Sequence, residues 1–212
     1  MKKGFLFLGF LGVFLHSLNG YGGTNLASSK DPSVSQSYKT IVIYVRSDLA
    51  HRQVAEQKII KELSKWSNAR VIPSLDLFPV VKTYSKSEIQ KALQDNGVDG
   101  LIIAQITNSQ NYQTVMDIPT YQTVFGNVGG YSTTLSVPTT TSIPMSYTVW
   151  NSKIQFFDFT SGKQVWYAEG VTDGLTENGM MNNLIKKAVS ILLDDGLIDR
   201  DTTSLKRSYR GY

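Results

Sequence analysis

The residues that most constrain this chain are Leu101, Ile102, Ile103, Ala104 and Ile106. They form an apolar run opened by Gly97-Val98-Asp99-Gly100 and closed by the polar Asn108-Ser109-Gln110. The run is too short for an ordinary helix and lacks the alternation of a half-exposed strand, so it reads as a strand buried on both faces. Upstream of it, strand and helix patterns alternate; downstream come long alternating stretches and one last helix. The expected fold is α/β: a mixed sheet with a βαβαβ first half, then an antiparallel β-meander and a C-terminal helix. The order is β-α-β-α-β-β-β-β-α, layered as a two- or three-layered sandwich with 101–106 near the middle of the sheet.

The amino-terminal residues stand apart from that fold. Lys2 and Lys3 precede an uncharged run over 4–15, and small and polar residues follow over 17–23. This is the succession of a secretory signal peptide, assigned to 1–20, with cleavage after Gly20, Gly23 or Ala27. At about twelve residues the apolar run falls short of the roughly 20 that span a bilayer as a helix, although a retained anchor is the competing reading. The chain has no cysteine, which excludes disulfides, thiol catalysis, thiolate metal sites and a lipid-modified amino-terminal cysteine. Without Lys2 and Lys3 the formal charge falls from +4 to +2, so nothing points to nucleic acid. The expected location is periplasmic or secreted, without lipidation.

Residues 21–37, rich in Gly, Ser, Asn and Thr, read as a flexible leader to a single domain over 38–200. The β-branched run 38–45 opens the domain. Ser47 or Asp48 can cap the next helix, whose stripe is Ala55, Ile59, Leu63 and Trp66. A short strand over 69–74 ends at Pro73, and an irregular apolar link runs to Thr83. Ser85 and Glu88 have capping-box spacing ahead of a helix that buries Ile89, Ala92 and Leu93 and stops at Asn96-Gly97. Residues 147–160 and 163–172 form a hairpin that turns at Thr160-Ser161-Gly162, with Asp158 placed to accept amides across it. In the final helix Met181, Leu184, Ile185, Ala188, Ile191 and Leu192 make the core face; Gly196 ends it and Leu197 folds back.

Residues 112–147 form an insert of different character. Thr, Ser, Tyr, Gly and Pro dominate, and Asp117 is the one charge. Tyr121, Thr123 and Phe125 alternate with Gln122 and Val124, and Ser132, Thr134 and Ser136 alternate with Leu135 and Val137. The expectation is a long hairpin or extended loop projecting from the sheet, with arms of about six residues and Pro138 and Pro144 interrupting the return. Its aromatic residues Tyr112, Tyr121, Phe125, Tyr131 and Tyr147 are the candidate partner contacts. The tail over 201–212 is expected to be basic and disordered; Lys206, Arg207 and Arg210 give it a weak attraction to anionic membrane surfaces.

Chemistry is hard to place. After the signal the one histidine is His51, on the first turn of a helix, so no Ser/His/Asp set can be built. Asp194, Asp195, Asp199 and Asp201 lack the spacing of a calcium loop. Gly126-Asn127-Val128-Gly129-Gly130 lacks the lysine and helix of a phosphate-cradling loop. No catalytic residue, metal site or cofactor is assigned, and the protein is expected not to be an enzyme.

Three phrases carry a resemblance: Pro73-Ser74-Leu75-Asp76-Leu77-Phe78-Pro79, Gly97-Val98-Asp99-Gly100-Leu101-Ile102, and Asp158-Phe159-Thr160-Ser161-Gly162-Lys163-Gln164-Val165-Trp166. With the first strand and helix they resemble a group of small bacterial envelope lipoproteins of unknown function. That group is similar in fold to the CsgG-like curli-export lipoproteins, the penicillin-binding-protein activator LpoB and the TolB amino-terminal domain. The resemblance spans about 38–198, and the chain departs from it in having no lipidation cysteine. It implies an accessory role through contacts with other envelope proteins. In pore-forming members an insert between sheet strands becomes a membrane-spanning β-hairpin, and 112–147 lies at a comparable place. The expected function is a non-enzymatic exported envelope accessory protein. The alternatives are a homo-oligomeric secretion-pore subunit and a glycan- or peptidoglycan-binding module that uses exposed rings such as Tyr112, Tyr121, Tyr131 and Trp150.

Overall fold

The computed structural model describes residues 22–128 and 131–201. Its elements are β1 (Thr24–Lys30), β2 (Thr40–Arg46), α1 (Leu49–Trp66), β3 (Arg70–Pro73), α2 (Ser74–Leu77), α3 (Lys86–Asp95), β4 (Gly100–Val128), β5 (Tyr131–Asp158), β6 (Gln164–Gly174) and α4 (Glu177–Asp194). The strands form one six-stranded sheet in the order β1-β6-β5-β4-β2-β3. β2 runs parallel to β3 and β4, and the pairs β4–β5, β5–β6 and β6–β1 are antiparallel. The sheet is therefore mixed, as expected, with the 101–106 run at its centre.

Alternation along β2 and β4 divides the core between two faces. On one, Leu63 of α1 and Ile185, Val189 and Leu192 of α4 pack against Ile41, Ile43, Ile102, Ile154, Phe156 and Trp166. On the other, Val42, Ile72 and Leu101 meet Leu93 of α3 and the link residues Leu77 and Phe78. Covering the central strands from both sides is what a run such as 101–104 requires.

Local chemistry fixes the element ends. The Asp48 carboxylate accepts the His51 amide at 3.1 Å and caps α1. Ser85 and Glu88 form a reciprocal capping box on α3, with Ser85 N donating to Glu88 Oε2 at 2.8 Å and Glu88 N to Ser85 Oγ at 3.3 Å. Gly97, at φ +63°, ends α3. Asp99 then accepts the amides of Lys39 and Thr40, each at 2.9 Å, pinning the start of β2 to β4. A Cβ on Gly100 would lie 2.7 Å from the Phe156 ring, which in turn packs tilted against Tyr38 with ring centroids 4.6 Å apart. The phrase Gly97-Val98-Asp99-Gly100 is thus a joint between a helix end, a strand start and a packed ring.

The structure differs from the sequence reading in several places. The supposed leader contains β1, paired residue for residue with β6 from Thr24↔Thr172 to Lys30↔Trp166. It escaped notice because it buries a single side chain, Leu26, and its pairing partner lies far away in sequence. The irregular link begins with a helical turn, α2. On α1, Trp66 is 40 % exposed and bonds Glu62 at 3.2 Å, so the stripe stops at Leu63; on α3, Ile89 is likewise half out of the core. On α4, Ile185, Ala188 and Leu192 are buried as expected and Met181, Leu184 and Ile191 pack partly buried against the core, but the face is wider and also buries Met180, Val189 and Leu193, because the helix nestles against β1 and β6 as well as α1. Finally, 101–106 and the first insert arm are one continuous strand, and so are the second arm and 147–158.

Candidate functional site

β4 is accompanied by β2 as far as Gln105, and β5 by β6 only from Thr148 onward. Between these limits Thr107 is an extra residue on β4: the register steps from Ile106↔Ser152 to Asn108↔Asn151, and the Thr107 hydroxyl donates to the Asn151 carbonyl at 3.2 Å. Such a bulge re-aims a strand. From Tyr112↔Tyr147 to Val128↔Tyr131 the two strands then pair with each other alone for seventeen residues, a ribbon roughly 55 Å long at about 3.3 Å per residue.

Alternate pairs of a ladder share a face, and the ribbon sorts its residues by that rule. The nine pairs in phase with Tyr112/Tyr147 include every Met, Ile and Leu of the ribbon: Met116, Ile118, Leu135, Ile143 and Met145. The intervening pairs take every Ser (Ser132, Ser136, Ser142 and Ser146) together with Asp117, Gln113 and Asn127, and they also hold Val115, Tyr121 and Phe125. Asp117 accepts the Ser142 hydroxyl at 2.5 Å. In the apolar set Tyr112 and Tyr147 stack at 5.3 Å at the root, and the Thr120 and Thr139 hydroxyls pair at 2.8 Å midway. Ile143 of this set is 43 % exposed, and Val115 of the intervening set is 60 % exposed.

Prolines do not interrupt the ribbon, contrary to the expectation from Pro138 and Pro144. Pro119 faces Thr140, Pro138 faces Tyr121 and Pro144 faces Val115, and all three fall in the polar phase. Bonded and non-bonded pairs alternate in an antiparallel ladder, so residues of one phase all direct their amides the same way. Proline is accommodated where its missing amide would point away from the partner strand.

Of the candidate contacts, Tyr112 and Tyr147 meet at the root, while Tyr121, Phe125 and Tyr131 occupy register positions opposite Pro138, Thr134 and Val128. Lys206, Arg207 and Arg210 lie outside the described residues. Trp150, offered as an exposed sugar platform, is 6 % exposed and belongs to the core. The carboxyl-terminal acids serve as ties. Asp195 accepts Trp166 Nε1 at 2.6 Å and Ser28 Oγ at 3.1 Å, and Asp199 accepts Ser37 Oγ at 2.7 Å. Asp158 accepts the Ser161 amide at 2.6 Å across the β5–β6 turn, and also Gln36 Nε2 and Tyr38 Oη. Burial pushes its carboxyl up, but the Ser161 and Tyr38 hydrogen bonds outweigh that and hold it below the usual carboxylate value.

Two features of the body were not legible beforehand. Glu56 on α1 is fully buried; it accepts Arg52 Nε at 2.9 Å, Ser74 Oγ at 2.5 Å and the Val45 amide at 3.2 Å, while Arg52 lies 4.5 Å over the Tyr44 ring. A Glu inside a helix pattern gives no sign that it faces inward. The second is a cleft of about 340 Å³ between α1, α4 and the sheet.

No family model matches the chain, and no curated protein does. Among solved structures the chain is similar to a PelC dodecamer from Paraburkholderia phytofirmans, 12% identical, with a TM-score of 0.45 over 83% of this chain and 99% of that one. It is also similar to a lipoprotein from Neisseria meningitidis, 13% identical, with a TM-score of 0.38 over 74% of this chain and 99% of that one. Among the described residues no helix is long and apolar enough to cross a membrane, which says nothing of strands.

Proposed function

We propose that this is a non-enzymatic, exported protein of the bacterial envelope whose copies associate through their ribbons into a membrane-spanning β-barrel, as a secretion-pore subunit does. The observation that carries the reading is the two-phase sorting of the ribbon, with Met, Ile and Leu in one phase and Ser, Asp, Asn in the other over seventeen pairs. A transmembrane strand needs about 9 to 11 residues with lipid-facing and lumen-facing positions in alternation and aromatic residues at the interfaces. The ribbon exceeds that length, carries one charge in its polar phase, and has tyrosines at its root and beside its tip. A two-stranded ribbon is marginal by itself in water, and its unpaired edges are satisfied when neighbouring copies close a ring. Each copy adds two strands, so any ring has an even number.

The three prolines favour a second reading, in which the ribbon stays free and docks its apolar phase on another envelope protein. Each removes an outward amide, which blunts an edge against strand addition. One experiment separates the two. The full chain is mixed with phospholipid vesicles beside a variant in which 113–146 are replaced by an Asn-Gly turn. A detergent-stable multimer with discrete bilayer conductance, absent from the variant, is the expected result. A full chain that remains monomeric without conductance rejects the barrel.

A further inference from the structure

The cleft between α1, α4 and the sheet has no part in the ribbon reading. Its walls are apolar: Ile102, Trp150, Ile154, Val189 and Leu192 are each buried, and the space exists because Ala55, Ala104 and Ala188 stand where larger side chains would close it. Folded interiors hold few voids larger than a water, whereas apolar clefts of this volume with a few polar groups are the usual form of ligand sites. On α4 the lining runs from Glu177 to Leu192, about 22 Å of helix at 1.5 Å per residue, so the space is elongated. Polar groups gather at one end, where α1 and α4 both begin beside the root of the ribbon. There Arg46 donates to Gln105 at 3.1 Å, His51 pairs with Asp48 at 2.6 Å, and Glu177 opens α4.

We propose that this cleft takes one aliphatic acyl chain, its hydrocarbon along Ala104, Ala188 and Leu192 and its head group left among Arg46, Asp48, His51 and Glu177. A long apolar slot with a single polar mouth of mixed charge fits a chain with a hydrated head, and fits a compact polar ligand or a peptide poorly. Trp150 in the wall supplies the readout. The full-length protein in solution is titrated with 9,10-dibromostearate, whose bromines quench tryptophan on contact, with unbrominated stearate as competitor. The expected result is saturable quenching at one chain per protein, reversed by stearate and largely lost in Trp150→Phe. Ala188→Phe, which fills the slot, weakens the apparent affinity at least tenfold. Should Ala188→Phe fail to fold, the stoichiometry and the Trp150→Phe comparison decide alone. Non-saturable quenching, quenching undiminished in Trp150→Phe, or unchanged affinity in a folded Ala188→Phe overturns the proposal. A second arm with vesicles of dibrominated phosphatidylcholine identifies the source. Quenching there that Ala188→Phe abolishes assigns the chain to a bilayer lipid; quenching by stearate alone assigns it to a free fatty acid. The first arm contains no bilayer, so its failure and failure of the barrel reading are separate results.

Discussion

The body and the ribbon share two strands yet are held together by different physics. In the body β4 lies between β2 and β5 with helices over both faces, and residues distant in sequence meet in one core; Asp99, Asp158 and Asp195 each join separate elements. In the ribbon the same strands have cross-strand partners alone, and apolar residues such as Val115 and Ile143 remain exposed. The lesson is that the body carries its own reasons to fold, whereas the ribbon leaves Val115 and Ile143 without cover inside one copy. Changes in one region should therefore leave the other untouched.

The largest expected break in the body is Glu56→Ala. It strands Arg52, whose side chain is 11% exposed, and removing one partner of a buried pair costs about 3–5 kcal/mol. Denaturant unfolding should show that loss, with much of it recovered when Arg52 is also replaced by Leu. In the ribbon, Ile143→Arg should cost about 2–4 kcal/mol of membrane insertion, the penalty for a cation on a lipid-facing barrel position near midplane. Ser142→Arg, one residue away in the other phase, should insert normally, and neither should move the thermal midpoint of the body. Equal effects at 142 and 143 would erase the distinction between the phases.

Asp158→Asn is the next test, with an expected loss of about 1.5–3 kcal/mol for hydrogen bonds to a charged group. Its folded carboxyl is held below the ordinary value of 3.8. The stabilisation is therefore present above pH 3.8 and disappears as pH falls through the lower folded value, so an acid titration should be flatter in the variant. Gly100→Ala pushes a methyl toward the Phe156 ring and should cost about 1–3 kcal/mol, read as a lower midpoint with ribbon assembly preserved. Smallest is Ser85→Ala, about 1 kcal/mol for a lost helix cap. Glu88 of the same capping box has its carboxyl lowered to about 2 by Lys82 and Ser85, so this contribution too fades only in strong acid.

What could be read in the sequence was local. Ser85 and Glu88 announced their capping box, Gly97 and Gly196 their helix ends, and the 101–106 run its central place, since each depends on neighbours within a few residues. β1 could not be read that way. Its partners lie between 136 (Lys30↔Trp166) and 148 (Thr24↔Thr172) residues off, and its close fit depends on Gly170, where a Cβ would meet the Asn25 carbonyl at 1.9 Å. The ribbon was half legible. Its charge poverty and midpoint glycines were plain, but the prolines concealed its continuity, and the two phases emerge only once residues in both arms are matched across the ladder. The inward turn of Glu56 left no local trace at all.

Side chains in a strand point up and down in turn, and β5 passes from the domain into the projection with no extra residue, so β5 carries the facing of the body out along the ribbon while the lone supernumerary residue on β4, Thr107, sets the bend at the root. Deleting Thr107 would keep every cross-strand partner from Asn108↔Asn151 to Val128↔Tyr131 and remove the bend, so it would change how the arm leaves the domain and not which residues share a face.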